Sequence, residues 1–154
     1  MKKVYQTIVD KGHGNCMQAA IASLLDFDLD QVPNFIKFKE ESSYRMNQFM
    51  KMFDYEMTFY DNRNIHPFPD GRNCPSLEEV AKIDGGVNGL FYASVKSQSF
   101  KDVMHAVIVD MDMNIIHDPN PNQLALKLSP SDVEQIICVR DGWHINLDGK
   151  IIVA

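Results

Sequence analysis

Residues 14–25 read Gly-Asn-Cys-Met-Gln-Ala-Ala-Ile-Ala-Ser-Leu-Leu, and this stretch decides how the front of the chain folds. From Met17 onwards, apolar residues recur at positions i, i+3, i+4, i+7 and i+8, which is the spacing of one helix face. The pattern predicts an apolar helix from Cys16 to Leu25, buried centrally in the fold. Gly14 and the residues before it predict a loop, so the cysteine lies where that loop meets the helix N-terminus.

A second informative stretch comes far along the chain. Residues 105–109 read His-Ala-Val-Ile-Val, and residues 115–119 read Ile-Ile-His-Asp-Pro. They predict a strand opened by His105, a turn over residues 110–114 and a second strand that ends at Asp118. The ends of an antiparallel hairpin lie side by side, so we expect His105 and Asp118 to be neighbours.

Together, these residues are the parts of a thiol nucleophile site. The first turn of a helix favours a thiolate, a histidine can take the thiol proton, and a carboxylate can fix the histidine tautomer. Each residue also has a structural explanation when taken alone. Cys16 can be a buried helix residue, His105 can be half-buried packing, and Asp118 before proline can open a turn. The matched hairpin ends favour the catalytic interpretation.

The ordered set of residues 12–25, 105–109 and 117–119 resembles papain-like cysteine peptidases, above all the bacteriocin-leader-processing type and its small phage and bacterial relatives. Those proteins carry a cysteine that opens a helix, a histidine that opens a strand, and an Asp-Pro after the next strand. The resemblance implies a papain-like fold, with Cys16 as nucleophile, His105 as general base and acid, and Asp118 as orienting residue.

The resemblance departs from the family pattern around the oxyanion donor. Such enzymes have a glutamine about six residues before the cysteine, whereas Gln6 is ten residues before Cys16 here. A longer loop can absorb the difference; otherwise Asn15 or the backbone N–H of Cys16 must hold the oxyanion. A second departure is Met17, where the leader peptidases favour glycine.

The loop before the cysteine supplies the candidate substrate contacts. We expect Gly14 to let the backbone approach a substrate closely, and His13, a rival base, to be a substrate contact or a solvent residue. Alternation along its strand turns His117 to the face opposite Asp118. A zinc site drawn from the cysteines and histidines matches no finger or ribbon spacing, so we expect neither a metal nor a cofactor.

Composition limits the class of protein. The formal net charge is −6 and no basic stripe is present, which argues against a nucleic-acid partner. The three cysteines, Cys16, Cys74 and Cys138, are far apart, which argues against a disulfide scaffold and for a reducing compartment. The sequence has no run of 18 apolar residues and no secretory signal at its N-terminus. We expect a cytoplasmic protein with no membrane partner.

The pattern along the chain predicts one α+β domain over residues 1–154, with helices in the front half packed on an antiparallel sheet from the back half. The other expected elements are a strand at Val4–Val9, a helical turn at residues 28–32, a helix from Ser42 or Ser43 to Phe53, a strand at 57–60, a loop at 61–74, a helix from Ser76, strands at 89–95, 105–111, 114–118 and 136–140, a helical turn at 131–134, and two strand pieces within 145–153.

These features predict a cysteine hydrolase that cleaves a peptide, isopeptide or other amide bond through an acyl-enzyme, with acyl transfer allowed by the same site. The expected partner is a peptide or protein substrate, and the oligomeric state is left open. The alternative is a catalytically silent papain-like binding module, such as a phage or mobile-element protein that holds a host factor or a small ligand.

Overall fold

A computed structural model describes residues 1–10, 14–60, 79–80, 86–97, 100, 103–122, 133–141, 143–145 and 151–153. Within these ranges the chain forms the α-helices α1 (Cys16–Leu24) and α2 (Ser42–Met52), a short helical piece at residues 79–80, and the strands β1 (Tyr55–Tyr60), β2 (Phe91–Lys96), β3 (Met104–Val109), β4 (Ile115–His117), β5 (Val133–Asp141), β6 (Trp143–Ile145) and β7 (Ile151–Val153). Short 3-10 helices occupy Leu29–Gln31 and Phe35–Glu41. The fold class is α+β.

Five of the strands form one antiparallel sheet in the order β1-β5-β2-β3-β4. Strands β6 and β7 pair with each other in a separate two-stranded sheet. The β3–β4 hairpin therefore forms one edge of the larger sheet. His105 and Asp118 both come from this hairpin, so the candidate site lies at this edge of the larger sheet.

Helix α1 packs against one face of the larger sheet. Its residues Ala20 and Ile21 share a buried cluster with Tyr92, Ala106 and Ile108, which alternate along β2 and β3. The residues between them on the strands belong to a second buried cluster on the other face. Small alanine side chains on α1 let the helix approach the sheet closely, and this packing holds the cysteine end of the helix against the hairpin edge.

Several predicted elements are confirmed, among them α1, α2, the helical turn near residue 30 and the β3–β4 hairpin. The strand expected at Val4–Val9 is wrong, because this segment lies in the described part of the chain and forms no strand. Its backbone groups bond to the side chains of Asn15, Ser23 and His117 and to the Pro119 carbonyl rather than to a neighbouring strand.

The helical turn expected at residues 131–134 is also wrong where the structure describes it. Val133 and Glu134 begin β5, and Val133 is buried opposite Val95 of β2. Sheet pairing and burial of the valine outweigh the local turn signal here. The expected loop at 61–74 and the start of the expected helix at Ser76 fall outside the described residues. Residues 79–80, which lie within the expected helix and are described, are helical.

Within the described ranges, neither helix has the length and apolar character that crossing a bilayer requires.

Candidate active site

Cys16 is the first residue of α1, at the end of the helix that faces the β3–β4 hairpin. The Asn15 side chain does not cap this helix, so the first backbone N–H groups of α1 are open to other acceptors. The residue is only 9% exposed. It reaches solvent through a small cavity of about 70 Å³ that it borders.

The hairpin brings His105 and Asp118 together, although they are 13 residues apart in sequence. The His105 Nε2 atom lies 2.6 Å from Asp118 Oδ1, and the two side chains are 12% and 13% exposed. The turn between the strands is held by the Asp110 side chain, which accepts the backbone N–H groups of Asp112 and Asn114. The hairpin ends are thus neighbours, as the sequence predicts.

The charges around His105 favour its protonated form. Burial alone lowers the pKa of His105, but the hydrogen bonds to Asp118 and Cys16, together with the negative charges of these groups, outweigh burial and raise the pKa to about 9. Since Nε2 faces Asp118, the other ring nitrogen is the one left for the thiol. At neutral pH the ring is therefore an imidazolium between a sulfur and a carboxylate.

The backbone of Asn120, two residues further along the chain, holds the Asp118 carboxylate in place. Its Oδ1 atom accepts the backbone N–H of Asn120 at 2.9 Å, an arrangement typical of an Asx turn. Asn120 is buried and borders the cavity beside Cys16. Sequence reasoning missed this residue, although Asp-Pro-Asn at 118–120 is a turn signal that could have pointed to it.

The cavity beside Cys16 has a mixed lining of apolar and polar side chains. Its lining residues are Gln6, Val9, Asp10, Gly14, Cys16, Ile36, Ser97, Phe100, Val103, Met104, His105 and Asn120. Gly14 belongs here for a steric reason, because an added Cβ atom would lie 3.1 Å from the Ile8 carbonyl oxygen. The backbone thus passes closely at this point, and both the thiol and the imidazole border the same space.

Gln6 reaches this cavity in spite of its unusual distance from the cysteine in sequence. Its backbone N–H donates to the Pro119 carbonyl at 3.0 Å, and its side-chain Nε2 donates to the Ile8 carbonyl at 2.9 Å. The second hydrogen of Nε2 is left for another acceptor. The Gln6 amide thus borders the same cavity as the thiol, which is compatible with the first of the two alternatives that the sequence leaves open.

Asn15, the other side-chain candidate for the oxyanion, does not border the cavity. Its Oδ1 accepts the backbone N–H groups of Thr7 and Ile8, and its Nδ2 donates to Thr7 Oγ1 and Gln18 Oε1. Both hydrogens of the amide and both lone pairs of its oxygen are in use. This amide ties residues 7–8 to the start of α1, and the structure offers it no free donor for a substrate.

Two other histidines, His13 and His117, lie near the candidate site residues in sequence. His117 turns away from the site, as alternation predicts, and its Nε2 donates to the Val4 carbonyl at 2.6 Å. Burial lowers the pKa of His117 against the opposing effect of this hydrogen bond. His13, the rival base and expected substrate contact, lies outside the described residues. Among described residues, no three His, Cys, Asp or Glu side chains are grouped to hold a metal.

Tyr92 is a buried neighbour of the site that the sequence did not reveal. It lies on β2, is 1% exposed and belongs to the same core cluster as Cys16. Burial and the negative charge of Cys16 raise the pKa of Tyr92, in spite of a hydrogen bond to Ser94. The phenol therefore stays neutral behind the cysteine, where it forms part of the apolar floor under α1.

No family model, curated protein or solved structure matches this chain. A thiol at a helix N-terminus, an imidazolium held by a carboxylate and an amide at the same cavity can together carry out nucleophilic attack on a carbonyl and the proton transfers that follow.

Proposed function

We propose that this protein is a papain-like cysteine hydrolase that cleaves an amide bond through Cys16, His105 and Asp118. The observation that supports the proposal most is the 2.6 Å hydrogen bond between His105 and Asp118, in a pair whose imidazole also interacts with the Cys16 thiol. A carboxylate bonded to an imidazole beside a thiol is the arrangement that activates a cysteine nucleophile.

The steps follow from the groups at the cavity. The Cys16 thiolate attacks the carbonyl carbon, and the His105 imidazolium gives its proton to the leaving nitrogen as the carbon–nitrogen bond breaks. His105, now neutral, takes a proton from water as the water oxygen attacks the thioester carbonyl. The carbon–sulfur bond then breaks, so the carboxylic acid is released and Cys16 returns to the thiolate beside the imidazolium. Asp118 holds the ring and stabilises its charged form throughout.

Two groups are suited to hold the developing oxyanion. The backbone N–H of Cys16 lies at the open N-terminus of α1, and the Gln6 Nε2 has a hydrogen left after its bond to Ile8. Preorganised donors of this kind supply a large part of the catalysis in acyl transfer. With Asn15 engaged elsewhere, these two donors form the proposed oxyanion site.

The fold and the cysteines support the same assignment. A cysteine-bearing helix packs on an antiparallel sheet, and the sheet edge carries the histidine and the aspartate, as the papain-like arrangement requires. Cys16 and Cys138 take part in no disulfide, which fits the proposed reducing cytoplasmic location.

One observation favours a second candidate, a silent binding module. The cavity beside Cys16 is small and the thiol is largely buried. This restricted access to the nucleophile is compatible with a chain that holds a small ligand at the cavity without cleaving it. The two candidates differ in whether Cys16 becomes acylated.

Trapping the acyl-enzyme tests the proposal directly. The purified chain is incubated with panels of peptides, isopeptides and small amides and with a peptidyl vinyl sulfone, and adducts are located by mass spectrometry. We expect hydrolysis of one class and an adduct on Cys16 that is lost in His105→Ala. Absence of both, in a chain that melts cooperatively, would overturn the proposal in favour of the binding module.

A further inference from the structure

The side chain of Asn120 is a buried amide at the wall of the Cys16 cavity. The residue is 6% exposed and lies just beyond the end of β4, at the hairpin edge of the larger sheet. It borders the same cavity of about 70 Å³ as the Cys16 thiol and the His105 imidazole. Buried polar groups need hydrogen-bond partners, so the partners of this amide bear on what the cavity can bind.

The oxygen of the Asn120 amide is already occupied. Its Oδ1 accepts the backbone N–H of Asn122 at 3.0 Å, while the Asn120 backbone N–H donates to Asp118 Oδ1. Residues 118–122 thus contain two successive Asx turns. Turning the amide over would set Nδ2 against the Asn122 N–H, with two donors facing each other. The turns therefore fix both the side chain and the direction of its Nδ2 group.

The nitrogen of the same amide is a donor that solvent can reach. Within the described residues, Asn120 Nδ2 donates to no acceptor, since the bonds of this residue run through its backbone N–H and its Oδ1. The described side-chain atoms that are both buried and without a partner are Gln6 Oε1 and Asn34 Oδ1. Asn120 Nδ2 is not one of these buried atoms, so it is accessible, and the cavity is the space that Asn120 borders.

The surroundings of this donor indicate the kind of acceptor that fits it. The next residue back, Pro119, accepts the Gln6 backbone N–H through its carbonyl, so the Gln6 and Asn120 amides approach the cavity from bonded segments. Asn120 Nδ2 is uncharged, and the described lining includes Asp10 but neither lysine nor arginine. A neutral carbonyl oxygen therefore suits the donor better than a carboxylate. Because the cavity is small, a carbonyl bound there must lie near the carbon that Cys16 attacks.

We propose that Asn120 is a substrate-binding residue whose Nδ2 donates a hydrogen bond to a carbonyl oxygen near the reacting carbon of the molecule that Cys16 attacks. The donor is preorganised by its turn and loses little freedom on binding. The contact selects molecules that carry such an oxygen over those that lack one. That the molecule is a hydrolysed substrate rests on the proposed function; that Asn120 binds a carbonyl beside the thiol does not.

Two alkylating agents that differ in the carbonyl test this contact. Iodoacetamide carries a carbonyl oxygen next to the carbon that the sulfur attacks, and iodomethane carries none. With both agents the sulfur–carbon bond forms and iodide leaves, so a change in the thiolate fraction multiplies both rates by the same factor. The rates of Cys16 alkylation in the full chain are followed by mass spectrometry. The ratio of the iodoacetamide rate to the iodomethane rate then isolates the contact with the carbonyl.

The decisive variant is Asn120→Asp, which keeps an oxygen for the Asn122 N–H and removes the donor. We expect Asn120→Asp and Asn120→Ala each to lower the rate ratio about three- to tenfold, the effect of one lost hydrogen bond. Asn122→Ala removes an exposed amide outside the cavity lining and should leave the ratio unchanged. Asn120→Ser, which also keeps an acceptor oxygen, replaces either Asn120 variant whose thermal melt is not cooperative.

The outcomes separate this inference from the proposed function. An equal rate ratio in Asn120→Asp and the wild type, or an equal fall in Asn122→Ala, would overturn the role of Asn120. A ratio that depends on Asn120 in a chain that forms no acyl-enzyme supports the carbonyl contact and counts against the hydrolase. An acyl-enzyme on Cys16 with a ratio that is independent of Asn120 supports the hydrolase and counts against the contact.

Discussion

His105 Nε2 and Asp118 Oδ1 are 2.6 Å apart, and the same carboxylate oxygen accepts the backbone N–H of Asn120. The carboxylate is thus fixed from two directions before it orients the imidazole. Burial alone lowers the pKa of His105, but the hydrogen bonds and electrostatic effects of Asp118 and Cys16 outweigh burial and raise it to about 9.

Asp118→Asn should lower the pKa of His105, because it removes the negative charge that holds the ring protonated. The rate of hydrolysis should fall less than in Cys16→Ala, since nucleophile and base remain. The high-pH limb of the rate profile should also move to lower pH than in the wild type. A pH–rate series on both chains measures this shift, and an unchanged limb would contradict the assignment of the limb to His105.

Cys16 should react with iodoacetamide at pH 6–7 much faster than Cys138. Cys16 borders a cavity beside an imidazolium, whereas Cys138 is 0% exposed in the second core cluster. We expect Cys74, which lies outside the described residues, to react slowly as well. Mass spectrometry of peptides labelled over time decides the order, and equal labelling of Cys16 and Cys138 would argue for a structural thiol.

Cys16→Ala should abolish turnover with a modest loss of stability, of about 1 kcal/mol, because the thiol is mostly buried but small. His105→Ala should lower the rate nearly as much, since members of a catalytic unit act together. Rates measured alongside thermal melts test this. Full activity in Cys16→Ala would refute the enzyme assignment, and a collapsed melt would make the more conservative Cys16→Ser the variant to assay.

The stability of the chain should fall as the pH rises through about 9. The pKa of His105 is raised from 6.5 to about 9 in the folded chain, so the folded state binds this proton more tightly than the unfolded state does. The resulting stabilisation is fully present below pH 6.5 and is lost as His105 deprotonates. Melting temperatures from pH 6 to 10 should decline less steeply in Asp118→Asn, and parallel curves would contradict the linkage.

Gln6→Ala and Asn15→Ala should have opposite consequences. Gln6→Ala should slow hydrolysis about tenfold or more, by loss of an oxyanion donor, with a small change in melting temperature. Asn15→Ala should destabilise the fold by about 1–3 kcal/mol, because the N–H groups of Thr7 and Ile8 lose their acceptor. Kinetics and denaturant unfolding of both variants distinguish the two roles. A loss of stability in Gln6→Ala together with a loss of rate in Asn15→Ala would exchange the two assignments.

The positions of Cys16, His105 and Asp118 could be predicted from sequence because each depends on local order. Helical spacing fixes the register of α1 after its loop, and strand alternation with a short turn fixes which hairpin ends meet. These are properties of short segments, and the structure agrees with them to within one or two residues at the ends of the elements.

The roles of Gln6 and Asn15 could not be separated in the same way. Both are amides near the cysteine in sequence, and only the path of residues 6–10 decides which one borders the cavity. The Val4–Val9 segment likewise has a β-type composition, but its backbone partners are the side chains of Asn15, Ser23 and His117 and a distant carbonyl rather than a strand. Val133 was misassigned for a related reason, because its partner on β2 is far away in sequence.

The bond from His117 to the Val4 carbonyl joins residues 113 positions apart, and this separation has a consequence for how the protein is made. The bonds that tie the Val4–Val9 segment to His117 and to the Pro119 carbonyl form only after the chain has been synthesised beyond the β3–β4 hairpin, and closing so long a loop is slow compared with forming α1. The thiol on the early helix therefore lacks its base until the β3–β4 hairpin has been synthesised. A nascent chain that stops before residue 118 should carry an unactivated cysteine, so the nucleophile acquires its chemistry only when folding has joined the two ends of the site.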